Sequence, residues 1–164
     1  MNKYKPHLYV IPEDDANRQI ANGFLTYHAI NTRSILVSGV ARGWTNVIEV
    51  FKTEYIHEVS TNKHCHVLLL LYYDGAFELR QSFIAESIPD EIKPRVFTLG
   101  SSENPEKLKA ELELTYEKIG NELARQCHRN ISDLWLHEKL IHNKRDVERM
   151  AATIRDVIFV DDNA

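Results

Sequence analysis

His66-Val67-Leu68-Leu69-Leu70-Leu71-Tyr72-Tyr73 runs almost without a polar break into Asp74-Gly75. Successive side chains of a strand point to opposite faces, so a run apolar at every position must be covered on both. The stretch predicts a central parallel strand with helices above and below, closed by an acidic turn. A second run, His7-Leu8-Tyr9-Val10-Ile11-Pro12, closes in the same way on Glu13-Asp14-Asp15. Crossovers between parallel strands are right-handed, and the common doubly wound order 2-1-3-4 sets the first and third strands side by side. Taking that order as the expectation brings Glu13, Asp14 and Asp74 into one crevice. Open α/β sheets bind their ligands at that carboxyl edge.

Strand and helix periods alternate through the first hundred positions. Asp14 or Asp15 can cap a helix carrying Ile20, Ala21, Phe24, Leu25 and His28 at helical spacing. Ile35 to Val40 reads as a second strand. Trp44, Val47, Ile48, Phe51 and Tyr55 then recur three or four apart, the stripe of an amphipathic helix. A shorter helix is expected from Phe77 to Glu86 with Phe83 and Ile84 facing inward, then a fourth strand from Arg95 to Leu99 closed by Gly100. From Asn104 the pattern is helical. Pro105 suits a first helical turn and precedes Leu108 and Leu112. Thr115 opens a helix bearing Ile119, Leu123 and Cys127. Ser132 is expected to cap one with Leu134, Trp135 and Leu136. A last helix after Asn143 carries Val147, Met150, Ala151, Ile154 and Ile158, ahead of a frayed polar tail at 161–164. The expectation is a three-layer α/β domain over 1–164. Its four-stranded, mainly parallel sheet occupies 1–103, and the C-terminal helices, a possible dimer surface, occupy 104–160.

Composition supports a folded chain: 164 residues are 43% hydrophobic and 27% charged, enough to bury roughly 70% of the unfolded surface. A net charge of −4 argues against broad wrapping of nucleic acid, although a local basic groove is compatible with it. Cys65 and Cys127 form no metal or redox motif, which favours a reducing cytoplasm over a disulfide framework. The polar start Met1-Asn2-Lys3-Tyr4-Lys5-Pro6 has no signal-peptide pattern. The longest apolar run, Val67 to Tyr73, falls well short of the roughly 20 residues that span a bilayer. A cytoplasmic, non-membrane protein is expected.

Carboxylates gathered in one crevice repel one another. Two charges 4 Å apart at an effective dielectric of 20 interact by about 4 kcal/mol, so a proton, a basic group or a cation must offset them. Mg²⁺, with Mn²⁺ as a substitute, takes oxygen ligands and needs only one or two carboxylates. The plainer reading makes Asp14 or Asp15 a helix cap and Asp74-Gly75 a turn.

A Glu closing the first strand and an acid closing the third, in an alternating strand–helix chain, resemble the Toprim-type metal-dependent fold of topoisomerases, primases and overcoming-lysogenisation-type nucleases. The resemblance covers about residues 7 to 100. It implies that Glu13 is the general acid or base, and that Asp74 opens an Asp-x-Asp metal pair. The second member of that pair falls at Ala76, leaving Glu78 as the nearest substitute, and Asp14 stands where the family has glycine. The implied activity is Mg²⁺-dependent attack on nucleic-acid phosphodiester bonds, with Asp14, Asp74 and Glu78 as metal ligands and Arg18, one turn into the first helix, neutralising phosphate. The stretch Ile11 to Arg18 is also similar to the acidic pair opening a response-regulator receiver domain. That resemblance implies a phosphorylated Asp74, Mg²⁺ on Asp14 and Asp15, and Thr98 or Ser101 as sensor. The lysine-bearing fifth strand of a receiver is absent, since Pro105 to Glu113 reads as helix. A receiver-like, non-catalytic interaction module is therefore the alternative.

Other residues carry less. His64-Cys65-His66 lies at the opposite end of the central strand from Asp74, and an edge-of-core histidine pair is its simplest reading. His137 and His142 are five apart, not the four of a zincin helix. Lys139, Lys144, Arg145, Arg149, Arg125 and Arg129 give the C-terminal helices a basic bias diluted by Glu138, Asp146 and Glu148, as on solvated faces. Trp44 and Trp135 sit on apolar stripes and are read as core.

Overall fold

Four parallel strands, β1 (His7–Pro12), β2 (Ile35–Val37), β3 (Cys65–Leu70) and β4 (Val96–Leu99), form one sheet ordered β2-β1-β3-β4. This computed structural model describes residues 1–160, and the polar tail expected at 161–164 lies outside them. The order is the expected one, and the sheet is parallel throughout. β1 and β3 pair in register from His7 opposite Cys65 to Pro12 opposite Leu70. All six residues of β1 and of β3 are buried, as a doubly covered central pair requires.

Period two divides the sheet into two cores. Tyr9, Ile11, Cys65, Val67, Leu69, Leu71 and Tyr73 face one side. There they meet a continuous helical stretch of α2 (Trp44–Val50), a π turn at Phe51–Tyr55 and α3 (Ile56–Thr61), together with α4 (Phe77–Ser87). Leu8, Val10, Leu68 and Leu70 face the other side, against α1 (Asp15–Leu25) and α7 (Lys144–Ile158). Three layers result. Behind α1 lie α5 (Pro105–Leu112) and α6 (Tyr116–Arg129). Helices α1 and α6 pack so closely that a Cβ on Gly120 would stand 1.9 Å from the Ile20 carbonyl oxygen, and one on Gly23 2.1 Å from that of Glu117. Between α6, α7 and the sheet lies an apolar cavity of about 600 Å³. Among the described residues no helix is long and apolar enough to cross a membrane.

Three helix signals behave as expected. Asp14 accepts from the Asn17 amide (2.9 Å) to cap α1, Asn104 accepts from Glu106 (3.0 Å) ahead of Pro105, and Thr115 accepts from Lys118 (3.2 Å). Others do not. Helix α1 ends at Leu25, so His28 is exposed off its end and Tyr27 is buried instead. Phe83, expected inside, is 45% exposed, while Ile84 is buried; adjacent helical residues point about 100° apart and cannot both face one sheet. No helix starts at Ser132: Leu134–Leu136 and Ile141–Asn143 are single 3₁₀ turns, and Leu136 is exposed. The Leu134 amide is taken by the buried Gln126 side chain (2.7 Å), and Asn143 turns its amide group onto the Gly100 backbone. These long-range bonds replace a helical ladder. The second strand stops at Val37, although Ser38 and Ala41 still donate to Val10 and Pro12 of β1.

Candidate carboxylate site

Glu13 continues β1 beyond its last paired residue, donating its amide to the Leu70 carbonyl (2.8 Å). Its own carbonyl accepts from Arg42 (2.7 Å) and Gly43 (3.3 Å), two residues at positive φ that turn the chain into α2. The side chain is 96% buried by neighbours (4% exposed), and one carboxylate oxygen accepts the Tyr72 amide at 3.0 Å. Burial is the main cause that raises its pKa above the ordinary value; the Tyr72 amide and Arg80 oppose it, and the charges of Asp14 and Asp74 add to it. The Tyr72 phenol is also raised, first by burial and then by Glu13, Asp14 and Asp74, which places it beside the same three carboxylates.

Asp74 sits in a left-handed turn. It and Gly75 have φ of 47° and 75°, and the Ala76 amide returns to the Tyr73 carbonyl at 2.8 Å. Positive φ at both central positions is the type I′ pattern, which aspartate tolerates and glycine favours. The turn holds the Asp74 carboxylate out, 68% exposed, with one oxygen 4.0 Å from Arg80 Nη2. Arg80 is the cation that sequence reading missed. From the first turns of α4 its guanidinium reaches back to the Tyr72 carbonyl (2.8 Å) and lies 4.9 Å over the Trp44 ring. Its signal was faint: a lone arginine three residues after Phe77, on a helix whose apolar stripe is weak. Trp44 packs against the core, as expected, and also carries this arginine.

The remaining nominated residues fare differently. Asp14 joins the crevice electrostatically while one of its oxygens caps α1. Arg18 is held by Asp15 on its own helix, Nη2 to Oδ1 at 2.6 Å. Glu78 is exposed on the first turn of α4. Of the two nominated sensors, Thr98 is buried with its amide on Asp146 (2.8 Å), and the Ser101 hydroxyl donates to the Glu103 carbonyl.

Among the described residues Glu13, Asp14 and Asp74 do not gather into a three-donor metal cluster; of the three, Asp74 has the Arg80 guanidinium 4.0 Å away and Asp14 caps α1. A hard cation such as Mg²⁺ or Mn²⁺ would need only one or two of these carboxylates and keep waters in its remaining positions. Three of the six basic C-terminal residues are committed elsewhere: Lys139 to Glu111 (2.5 Å) and Glu138 (3.3 Å), Arg125 to Glu122 (2.6 Å), and Arg149 to Asp146 (2.7 Å). His137 pairs with Glu111 (3.2 Å), whereas His142 donates to the Gly100 carbonyl (2.7 Å), so the two histidines serve separate places. Both cysteines are free thiols.

The chain matches no protein-family model, no curated protein and no solved structure. Its functional reading rests on the residues at the carboxyl ends of β1 and β3.

Proposed function

We propose that the crevice between the ends of β1 and β3 is a divalent-cation site, Toprim-like in layout, that acts on phosphodiester bonds of nucleic acid. The observation carrying this reading is the buried Glu13 carboxylate, destabilised as an anion by burial and by Asp14 and Asp74, with Arg80 as its nearby cation. Asp74 would hold the ion, helped by the oxygen of Asp14 that does not cap α1. Bound there, Mg²⁺ or Mn²⁺ supplies charge neutralisation and polarises a phosphoryl oxygen. Arg80 would bind the phosphate, since a guanidinium recognises phosphate oxygens in pairs and its contact with Asp74 is long, at 4.0 Å. Arg18, tied to Asp15, gives way to Arg80 in that role. Glu13, its pKa raised by burial, would exchange a proton with the attacking water or the leaving oxygen.

The rival reading is a receiver-like interaction module without catalysis. It draws support from Asp14 acting as a helix cap and from the proximity of Arg80 to Asp74, which already offset part of the negative charge. Incubating the protein with single-stranded and duplex DNA and RNA in millimolar Mg²⁺ or Mn²⁺ separates the two. The enzyme reading expects cleavage that chelator abolishes and that Glu13→Gln lowers by about 10²–10⁴-fold, the usual range for a general acid or base. No cleavage of any of these substrates with either metal overturns it and favours the module.

A further inference from the structure

At the opposite edge of the sheet, His7 and Cys65 open β1 and β3 as direct register partners. Both side chains lie on the α3 side and are almost fully buried, at 1% and 0% exposure. From α3, Glu58 turns its carboxylate onto them, and the three donor atoms lie within 4.8 Å of one another. The His7 ring shows what the arrangement lacks. Its Nδ1 lies 2.7 Å from the Lys5 carbonyl oxygen, which can only accept, so Nδ1 carries the hydrogen. That leaves Nε2, a buried atom without a hydrogen-bond partner, facing the Glu58 carboxylate at 3.7 Å. A neutral ring would set its lone pair against an anion. A doubly protonated ring would point its N–H at an oxygen too distant for a normal hydrogen bond. A cation between the two would satisfy both atoms.

We propose that His7 Nε2, a Glu58 carboxylate oxygen and the Cys65 sulfur form a zinc site. Imidazole, carboxylate and thiolate are the donors Zn²⁺ takes, whereas Mg²⁺ and Ca²⁺ take oxygen alone. Tetrahedral bonds of about 2.0–2.3 Å put ligand atoms roughly 3.4–3.6 Å apart. The His7–Glu58 edge, at 3.7 Å, already has that length. The supporting contacts are those metal ligands ordinarily have: the Lys5 carbonyl fixes the His7 tautomer, and the Tyr9 hydroxyl donates to Glu58 at 3.1 Å. Lys3, 3.5 Å from the same carboxylate and itself 62% exposed, is free to swing away. Loading forms a zinc–sulfur bond and breaks the Cys65 S–H bond, whose proton leaves to solvent. His7 stays neutral, Glu58 stays ionised and nothing is oxidised or reduced. Three protein ligands leave one position for water, reached past the partly exposed Glu58. The site clips β1, β3 and α3 together and uses none of the residues of the carboxylate crevice.

The test uses the full chain, stripped of metal with a chelator and then supplied with Zn²⁺ or Co²⁺ alone. The expected result is one zinc retained per chain after gel filtration, a raised melting temperature, and a thiolate-to-cobalt charge-transfer band with Co²⁺. Cys65→Ser should lose the band and Cys127→Ser should keep it. Tyr9→Phe should weaken zinc binding by about 10–100-fold, as loss of an outer-shell partner does. If Cys65→Ser does not fold, Glu58→Gln, at a partly exposed position, carries the test through loss of stoichiometric zinc. Wild-type protein that holds no zinc and develops no cobalt–thiolate band overturns the proposal. So does a band that survives Cys65→Ser and disappears with Cys127→Ser. Zinc retention lost with Asp74→Asn but kept with Glu58→Gln overturns it as well, because the ion then sits in the carboxylate crevice.

Discussion

Glu13 is held in place by its backbone before its side chain does any chemistry. Its amide and carbonyl are both bonded across the sheet edge, and one carboxylate oxygen takes the Tyr72 amide. The cost falls on its ionised form, because burial raises its pKa above the ordinary 4.5. The sign of the pH effect follows. Between the ordinary value and the raised one, the folded chain keeps a proton that the unfolded chain has released, so stability falls as pH rises through that window. Glu13→Gln keeps an oxygen for the Tyr72 amide and removes the charge. In metal-free protein its melting temperature should equal the wild type below pH 4 and exceed it at neutral pH. Equal melting temperatures at both would place the ionised carboxylate in a solvated setting. Residue identity made Glu13 and Asp74 legible in the sequence, since acids directly after apolar runs mark strand ends. Arg80 and Tyr72 were not, because a lone basic residue on a weak helix stripe and a tyrosine inside an apolar run carry no positional signal of their own.

Helices with strong stripes and caps were readable as elements, and those built on long-range bonds were not. The Thr115 cap and the Ile119 and Leu123 stripe of α6 appear where periodicity puts them, whereas the segment after Ser132 forms only 3₁₀ turns, because Gln126 and Asn143 bond it to distant backbone. The stripe from Trp44 to Tyr55 also survives, but a π turn at Phe51–Tyr55 resets its phase before α3 begins. One consequence of that extra turn is to bring Glu58 over the start of β1 and β3. The closest approach between elements, α1 on α6, depends on glycine at the crossing. Gly120→Ala keeps helical propensity and adds one methyl against the Ile20 carbonyl. Helix propensity alone would make that change stabilising by up to about 1 kcal/mol. Forced separation of the helices should win, destabilising by roughly 1–3 kcal/mol. Urea denaturation should show a lower midpoint at unchanged slope; a higher midpoint would mean the helices part at no cost.

At the scale of the molecule, strand order sets the acid-tipped ends of β1 and β3 side by side at one edge of the sheet. The order 2-1-3-4 is the common doubly wound arrangement rather than a reading of particular residues, and the sheet has it. The register of β1 on β3 was not legible, and with it went the pairing of His7 with Cys65: sequence reading looked for a histidine pair flanking Cys65, while the partner stood across the sheet. The same pairing sets His7 against Cys65 at the amino edge and ends at the acid-bearing carboxyl edge. The central claim is that the carboxylates ending β1 and β3 share one divalent cation. Thermal melts of chelator-treated protein with and without Mg²⁺ test it most directly, in wild type and in Asp74→Asn. At a hundredfold excess over the dissociation constant, binding should stabilise the wild type by about 2.7 kcal/mol, which raises the melting temperature by roughly 5–11 °C at this chain length. Asp74→Asn should melt at the same temperature with and without the metal. A wild-type melting temperature unmoved by millimolar Mg²⁺ or Mn²⁺, or a rise that Asp74→Asn retains in full, would contradict it.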